Sequence, residues 1–156
     1  APCQTALLHP AITQVQSSSM ASAKPVTSDH PALESIRSYF AAYHSGDSQA
    51  YAAQWTYPAC LHSGGHWSVI EDAGAMTRGN DAYARRQREA GAGGGEILAL
   101  ECSAIGEDAA LVRGRFARLR ADGSRLDEVA ASYVVVRLAA LEGAAAWKVA
   151  VCLSGA

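Results

Sequence analysis

Long apolar runs are missing from this 156-residue chain. No stretch reaches the roughly 18 residues a membrane-spanning helix needs, so no membrane partner is expected. A basic excess is missing as well. The formal net charge is -2, which argues against nucleic acid and against an anionic membrane surface as partners. Arg85, Arg86 and Arg88 form the densest basic cluster and read as a solvated helix face. The cysteines Cys3, Cys60, Cys102 and Cys152 form no C-x-x-C pair. Three of them fall in expected strands, where a free thiol packs as a small apolar group, so reduced thiols are expected. The glycine run from Gly91 to Gly95 leads into a strand, the wrong context for cradling a phosphate. There is no Ser nucleophile elbow either. No cofactor and no metal site are expected.

Residues Ala1 to Thr13 lack the basic start and apolar stretch of a signal peptide. The chain also begins without Met. Met20 as the natural start and a mature secreted chain from Ala1 are competing readings. A cytoplasmic location is expected, with secretion or export to the periplasm as the alternative.

What the chain does have is 49% hydrophobic residues, enough for a core in one domain. Residues 1–30 are rich in Ser, Ala and Pro and read as an extended or mobile arm. Within it Leu7, Leu8, Ile12 and Val15 are apolar enough to dock, for example as an added edge strand. The domain proper is expected over 31–156.

Asp29 or Ser28 can cap a first helix, with Pro31 in its first turn. Leu33, Ile36, Phe40 and Tyr43 recur at helical spacing, and Gly46 suits a left-handed stop. Asp47 caps a second helix with Tyr51, Gln54 and Trp55 on one side, closed by Pro58. Strands 59–63 and 66–70 are joined through Gly64-Gly65, a hairpin signal. Residues 72–90 read as a third helix. Segments 97–105, 109–120, 125–138 and 145–153 are long strands separated by turns at Gly106-Glu107-Asp108, Asp122-Gly123 and Glu142-Gly143. Trp147, Val149, Val151 and Leu153 alternate, which puts them on one buried face. The fold class is therefore α+β with an antiparallel meander.

This order of elements resembles the NTF2-like superfamily, also called the SnoaL-like or cystatin-like α+β cone. The likeness lies in Tyr39-Phe40-Ala41-Ala42-Tyr43-His44-Ser45-Gly46-Asp47, Trp55-Thr56-Tyr57-Pro58, the hairpin Arg118–Ser124, and Ala146-Trp147-Lys148-Val149. It covers about residues 31–153 and looks most like an uncharacterised bacterial branch. It implies a curved antiparallel or mixed sheet of about six strands wrapped around three helices of the N-terminal half. It also implies a homodimer through the sheet face. Ketosteroid isomerase is the best-known enzyme of the superfamily. Aligned on the Gly-Asp turn, Tyr39 falls on its catalytic Tyr, its base on Ser63 beside His62, and its oxyanion-hole Asp near Ala131. Two of the three roles are vacant, which argues against that activity. The His/Asp/Tyr and Asp/Arg/Asp sets of scytalone dehydratase and limonene epoxide hydrolase find no counterpart.

The resemblance gives the fold and leaves the function to the site. An imidazole titrates near neutral pH, so His62 is the candidate general base, with Tyr39 or Tyr57 as its partner. That set would make a cofactor-independent isomerase, cyclase or dehydratase. The leading reading is a noncatalytic module that binds a small molecule, with the enzyme as the alternative: Tyr43, Trp55 and Tyr133, with Arg113, Arg115 and Glu128, are candidate contacts for a small flat or hydrophobic molecule. An Arg–Glu pair inside the cone would bind a carboxylate, whereas on the exposed sheet face it would be a cross-strand ion pair. Cys60, His62 and His66 could meet at a metal only if the hairpin loop is three residues long; a two-residue loop sets His62 opposite Trp67. A third reading is an interaction domain whose cone is filled by its own side chains. An open pocket holding His62 would favour the enzyme. A filled cone with an apolar sheet face would favour the interaction domain.

Overall fold

The computed structural model describes residues 29–139 and 145–155. The expected arm and its docking residues Leu7, Leu8, Ile12 and Val15 lie outside the described residues. So do Cys3, the capping Ser28 and the Glu142-Gly143 turn.

Helix α1 spans Pro31–Ser45 and is capped by His30 rather than Asp29, the His30 ring nitrogen accepting from the amide of Ala32 at 3.2 Å. Pro31 opens it, where a missing N–H costs nothing. Gly46 ends it at φ 78°, the left-handed stop that glycine adopts without strain. Asp47 turns its carboxylate onto the amides of Gln49 and Ala50 and caps α2, Ser48–Ala52. Helix α2 is shorter than the aromatic spacing suggested. A residue before proline disfavours helical geometry, so Trp55 and Tyr57 belong to β1, Trp55–Ser63. Hairpin strand β2 is His66–Ile70, and helix α3 is Ala73–Glu89 with Asp72 as its cap. Strands β3 (Gly94–Ala104), β4 (Ala109–Leu119), β5 (Arg125–Leu138) and β6 (Ala146–Ser154) follow.

The six strands form one sheet in the order β2-β1-β6-β5-β4-β3. Only the β1–β6 pair is parallel. Helix α1 lies across β6, β5, β4 and β3 on the inner face. The core there is Leu33, Ile36, Tyr51, Trp55, Met76, Cys102, Val112, Phe116, Tyr133, Val135 and Val149. No helix among the described residues is long and apolar enough to cross a membrane.

The sheet accepts bulky helix residues because its inner positions are small. Ala110, Ala131 and Ala59 are buried on it. A Cβ on Gly95 would stand 2.6 Å from the His44 ring, so glycine is what lets the end of α1 settle there. The expected alternation in β6 fails halfway. The register shifts so that Val149 pairs with Val135 while Val151 pairs with Val134. After that bulge Cys152 turns inward opposite Tyr133, and Val151 and Leu153 turn outward.

Candidate functional site

The inner face holds a cluster of aromatic rings with polar heads. Tyr39 of α1 is the hub, its ring 5.1 Å from Tyr51, 5.8 Å from Trp55 and 5.3 Å from Tyr133. The Tyr51 hydroxyl donates to the Tyr39 hydroxyl at 3.3 Å. Phe40 stacks on Phe116 at 5.3 Å, and Phe116 meets Tyr133 edge-on at 6.1 Å. Burial pushes the Tyr39, Tyr51 and Tyr133 hydroxyls above the ordinary tyrosine range. Burial also pushes the Cys152 thiol beside Tyr133 up to about 12. All four groups are therefore neutral at physiological pH and can act only as weak donors or as acceptors. The indole Nε1 of Trp55, which is 4% exposed, is buried and has no acceptor within hydrogen-bond geometry among the described residues.

One turn further along α1, Tyr43 packs 6.0 Å from Tyr51 and 6.1 Å from Tyr83. Burial, then the neighbouring Tyr83, raises its hydroxyl to about 12. Arg118 of β4 reaches from the sheet to α3. Its Nε donates to Asp127 Oδ1 at 2.6 Å, and its other nitrogens reach Asp127 Oδ2 and Gln87 of α3. The hydrogen bond from Arg118 holds the Asp127 carboxyl below the usual carboxylate range. Tyr57 spends its hydroxyl on the Ala52 carbonyl at 2.8 Å.

His62 does not join these tyrosines. Its neighbour Leu61 packs inward against the core, so strand alternation turns His62 to the outer face. There it pairs with Trp67 across the hairpin, ring to ring at 4.9 Å. Gly64 and Gly65 both have positive φ and make the two-residue turn. His66 is set opposite Ser63, on the other side from His62. Among the described residues no group of His, Cys, Asp and Glu is arranged to hold a metal ion. Arg113, Arg115 and Glu128 also lie on the outer face, with Arg115 and Glu128 joined at 3.3 Å, while Tyr133 faces inward. The expected ligand set is thus split between the two faces of the sheet.

The outer face carries two rows that follow the strand register. One is apolar: Leu111, Val134, Val151, Cys60 and Val69. The other crosses all six strands: Glu101, Arg113, Ser132, Leu153, His62 and Trp67. Trp67 is 65% exposed and Val69 57%. A depression of about 430 Å³ lies on this face, walled by Glu101, Arg113 and Leu153 over the short side chains of Ala99, Ala130 and Ser132. A second hollow of about 340 Å³ lies between Ser48, Asp81, Arg85 and Arg88. Sequence reasoning gave no site role to Glu101, Arg118 or Cys152, and named Trp67 only as the residue opposite His62 across a two-residue turn. Counting outward from the Leu119–Arg125 pair would set Arg118 opposite Leu126; a register shift beyond that pair brings Asp127 there instead.

Three solved structures illustrate the likeness. An NTF2-like protein with a cystatin-like fold from Novosphingobium aromaticivorans is 17% identical, with 78% of this chain and 77% of that one covered and a TM-score of 0.62. An NTF-2 like protein of unknown function from Shewanella oneidensis is 16% identical, covering 80% and 95%, with a TM-score of 0.60. A ketosteroid isomerase-like protein from Erwinia carotovora atroseptica is 15% identical, covering 80% and 92%, with a TM-score of 0.55. At these identities the likeness is one of fold. No match was found among curated proteins. The sequence profile of the family described as NTF2-like protein (DUF6841) matches residues 29–156, and the chain belongs to that family.

Proposed function

We propose that this chain is a homodimeric binding module whose working surface is the outer face of its sheet. The observation that carries this reading is the division of labour between the two faces. The inner face is occupied by its own rings, with Tyr39 packed against Tyr51, Trp55 and Tyr133. The outer face carries an apolar row and an exposed Trp67 across the width of the sheet. Apolar surface of that extent gains by being covered. A second copy supplies a surface of matching shape under two-fold symmetry. The test is Val134→Arg, which places a charge in the middle of the apolar row without touching the inner core. Size-exclusion chromatography across a concentration series should show the variant eluting later than the parent chain, with unchanged circular dichroism. Co-elution at every concentration would count against the reading.

One observation favours a second reading, a small-molecule site at the tyrosine cluster. Among the described residues the Trp55 Nε1 donor is buried without an acceptor, and such a donor is costly unless something satisfies it. A buried water or the oxygen of a small apolar ligand would do so. Such a site would bind neutral oxygen acceptors. Acid–base turnover there would need a base other than His62, which faces away. Native mass spectrometry of protein taken from its own host tests this reading: a retained small molecule lost in Tyr39→Phe would support it, and its absence would leave the dimer reading alone.

A further inference from the structure

Away from the outer face of the sheet, the hollow of about 340 Å³ lies where the start of α2 meets α3. Its polar wall is fixed by a buried network. Asn80 of α3, only 6% exposed, donates from Nδ2 to Ser48 Oγ at 2.9 Å. The Ser48 oxygen is thereby used as an acceptor, and the Ser48 hydroxyl donates its own proton to Asp81 Oδ1. Asp81 is drawn toward α2 by this bond. An acid four residues before a base on a helix has the spacing that favours an ion pair. Among the described residues Asp81 and Arg85 nevertheless form none, and Arg88 forms none either. The carboxylate and the two guanidinium groups instead line one hollow separately, together with Gly46 and Ala84, whose small size leaves it open. A Cβ at Gly46 would meet nothing within 4 Å.

We infer that this hollow binds the phosphate monoester of a small polyhydroxy compound, with Arg85 and Arg88 on the phosphate and Asp81 on a hydroxyl. Every residue involved belongs to α2, α3 or the turn at Gly46, so this site and the sheet-face dimer stand or fall separately. Guanidinium groups present planar forks of N–H donors that match phosphate oxygens. Arg85 and Arg88 are three residues apart, so they share one side of α3 and bring two positive charges to a dianion. A bare phosphate would also meet the Asp81 charge and be repelled. Asp81 gives one oxygen to Ser48 and keeps a second acceptor oxygen for a ligand donor. A hydroxyl beside the phosphate turns that repulsion into a hydrogen bond, so the carboxylate selects against anions that lack one. An ammonium in the same place would suit Asp81 but would stand beside two guanidinium groups, which favours the neutral hydroxyl.

The experiment is a titration of the isotope-labelled full chain at low salt, followed by amide chemical shifts, with glycerol 3-phosphate, inorganic phosphate and glycerol as probes. Glycerol 3-phosphate should shift the amides of Gly46, Ser48 and Ala84 saturably. Inorganic phosphate should bind about tenfold more weakly, and glycerol should leave these amides unmoved. Arg85→Gln and Arg88→Gln should each weaken glycerol 3-phosphate about tenfold. Asp81→Asn keeps an acceptor for Ser48 and removes the charge, so it should bring the two phosphates to similar affinity. All three substituted positions are exposed, and unchanged shifts elsewhere in the spectrum show that the fold is kept. No saturable shift at the three amides, or undiminished binding after both arginine substitutions, would overturn the site. Equal affinity of the wild type for the two phosphates, or tighter binding of phosphoethanolamine than of glycerol 3-phosphate, would overturn the assigned ligand class.

Discussion

The ring of Phe116 lies over Gly114, two residues earlier on the same strand. A Cβ built at Gly114 would stand 2.3 Å from the ring's far edge and 3.2 Å from Leu100. The ring cannot swing away cheaply, because Phe40 stacks on it and Tyr133 closes its other side. Gly114→Ala should therefore destabilise the fold by about 1–3 kcal/mol through overpacking. Thermal unfolding would show it. The double variant Gly114→Ala with Phe116→Leu should regain part of the loss, since the added methyl and the missing ring edge compete for one space.

Arg118 ties β4 both to Asp127 of β5 and to Gln87 of α3. The folded-state pKa of Asp127 lies below its ordinary value because Arg118 donates to it. A depressed carboxyl contributes stability fully above the unfolded pKa, about 3.9, and loses it as pH falls through the folded value. The Asp127 side chain is 41% exposed, so the contribution is held to about 0.2–1 kcal/mol by solvent screening. Asp127→Asn should lower stability at pH 7 by that amount and by almost nothing at pH 2. Denaturant titrations at the two pH values measure the difference. Equal losses at both would show that the carboxylate charge is not what matters.

Tyr39, Tyr51 and Tyr133 have the opposite sign of linkage. Burial raises their pKa in the folded state. Their contribution is full below the unfolded value of about 10 and disappears as pH rises through the folded values. After a rapid jump to alkaline pH, the tyrosinate absorbance of these three should appear only with the slow unfolding phase. Tyr133→Phe should remove one tyrosine's share from that slow phase. An immediate full rise in absorbance would mean the rings are open to solvent.

Much of the architecture could be read from local signals. Asp47, Gly46 and Gly64-Gly65 each demand one backbone geometry, and each received it. The antiparallel meander followed from the turns at Gly106 and Asp122-Gly123. What could not be read was which face a residue takes after a register shift. The bulge between Val149 and Val151 turns Leu153 outward and Cys152 inward, and no local propensity announces it. The same limit applied to the candidate site. Tyr39 was visible as an aromatic at the end of a helix. Whether His62 shared its side depended on sheet pairing, because Leu61 and His62 are neighbours on opposite faces. Trp55 counted as helical by spacing, and the proline at position 58 outweighed that spacing.

Large contiguous apolar patches on a protein surface mark interaction sites. Sedimentation equilibrium of the wild-type chain tests the account most directly. The expected result is a reversible dimer, at twice the 16.3 kDa chain mass, whose dissociation is promoted by a charge at Val134. A single species of 16.3 kDa at every concentration would contradict it.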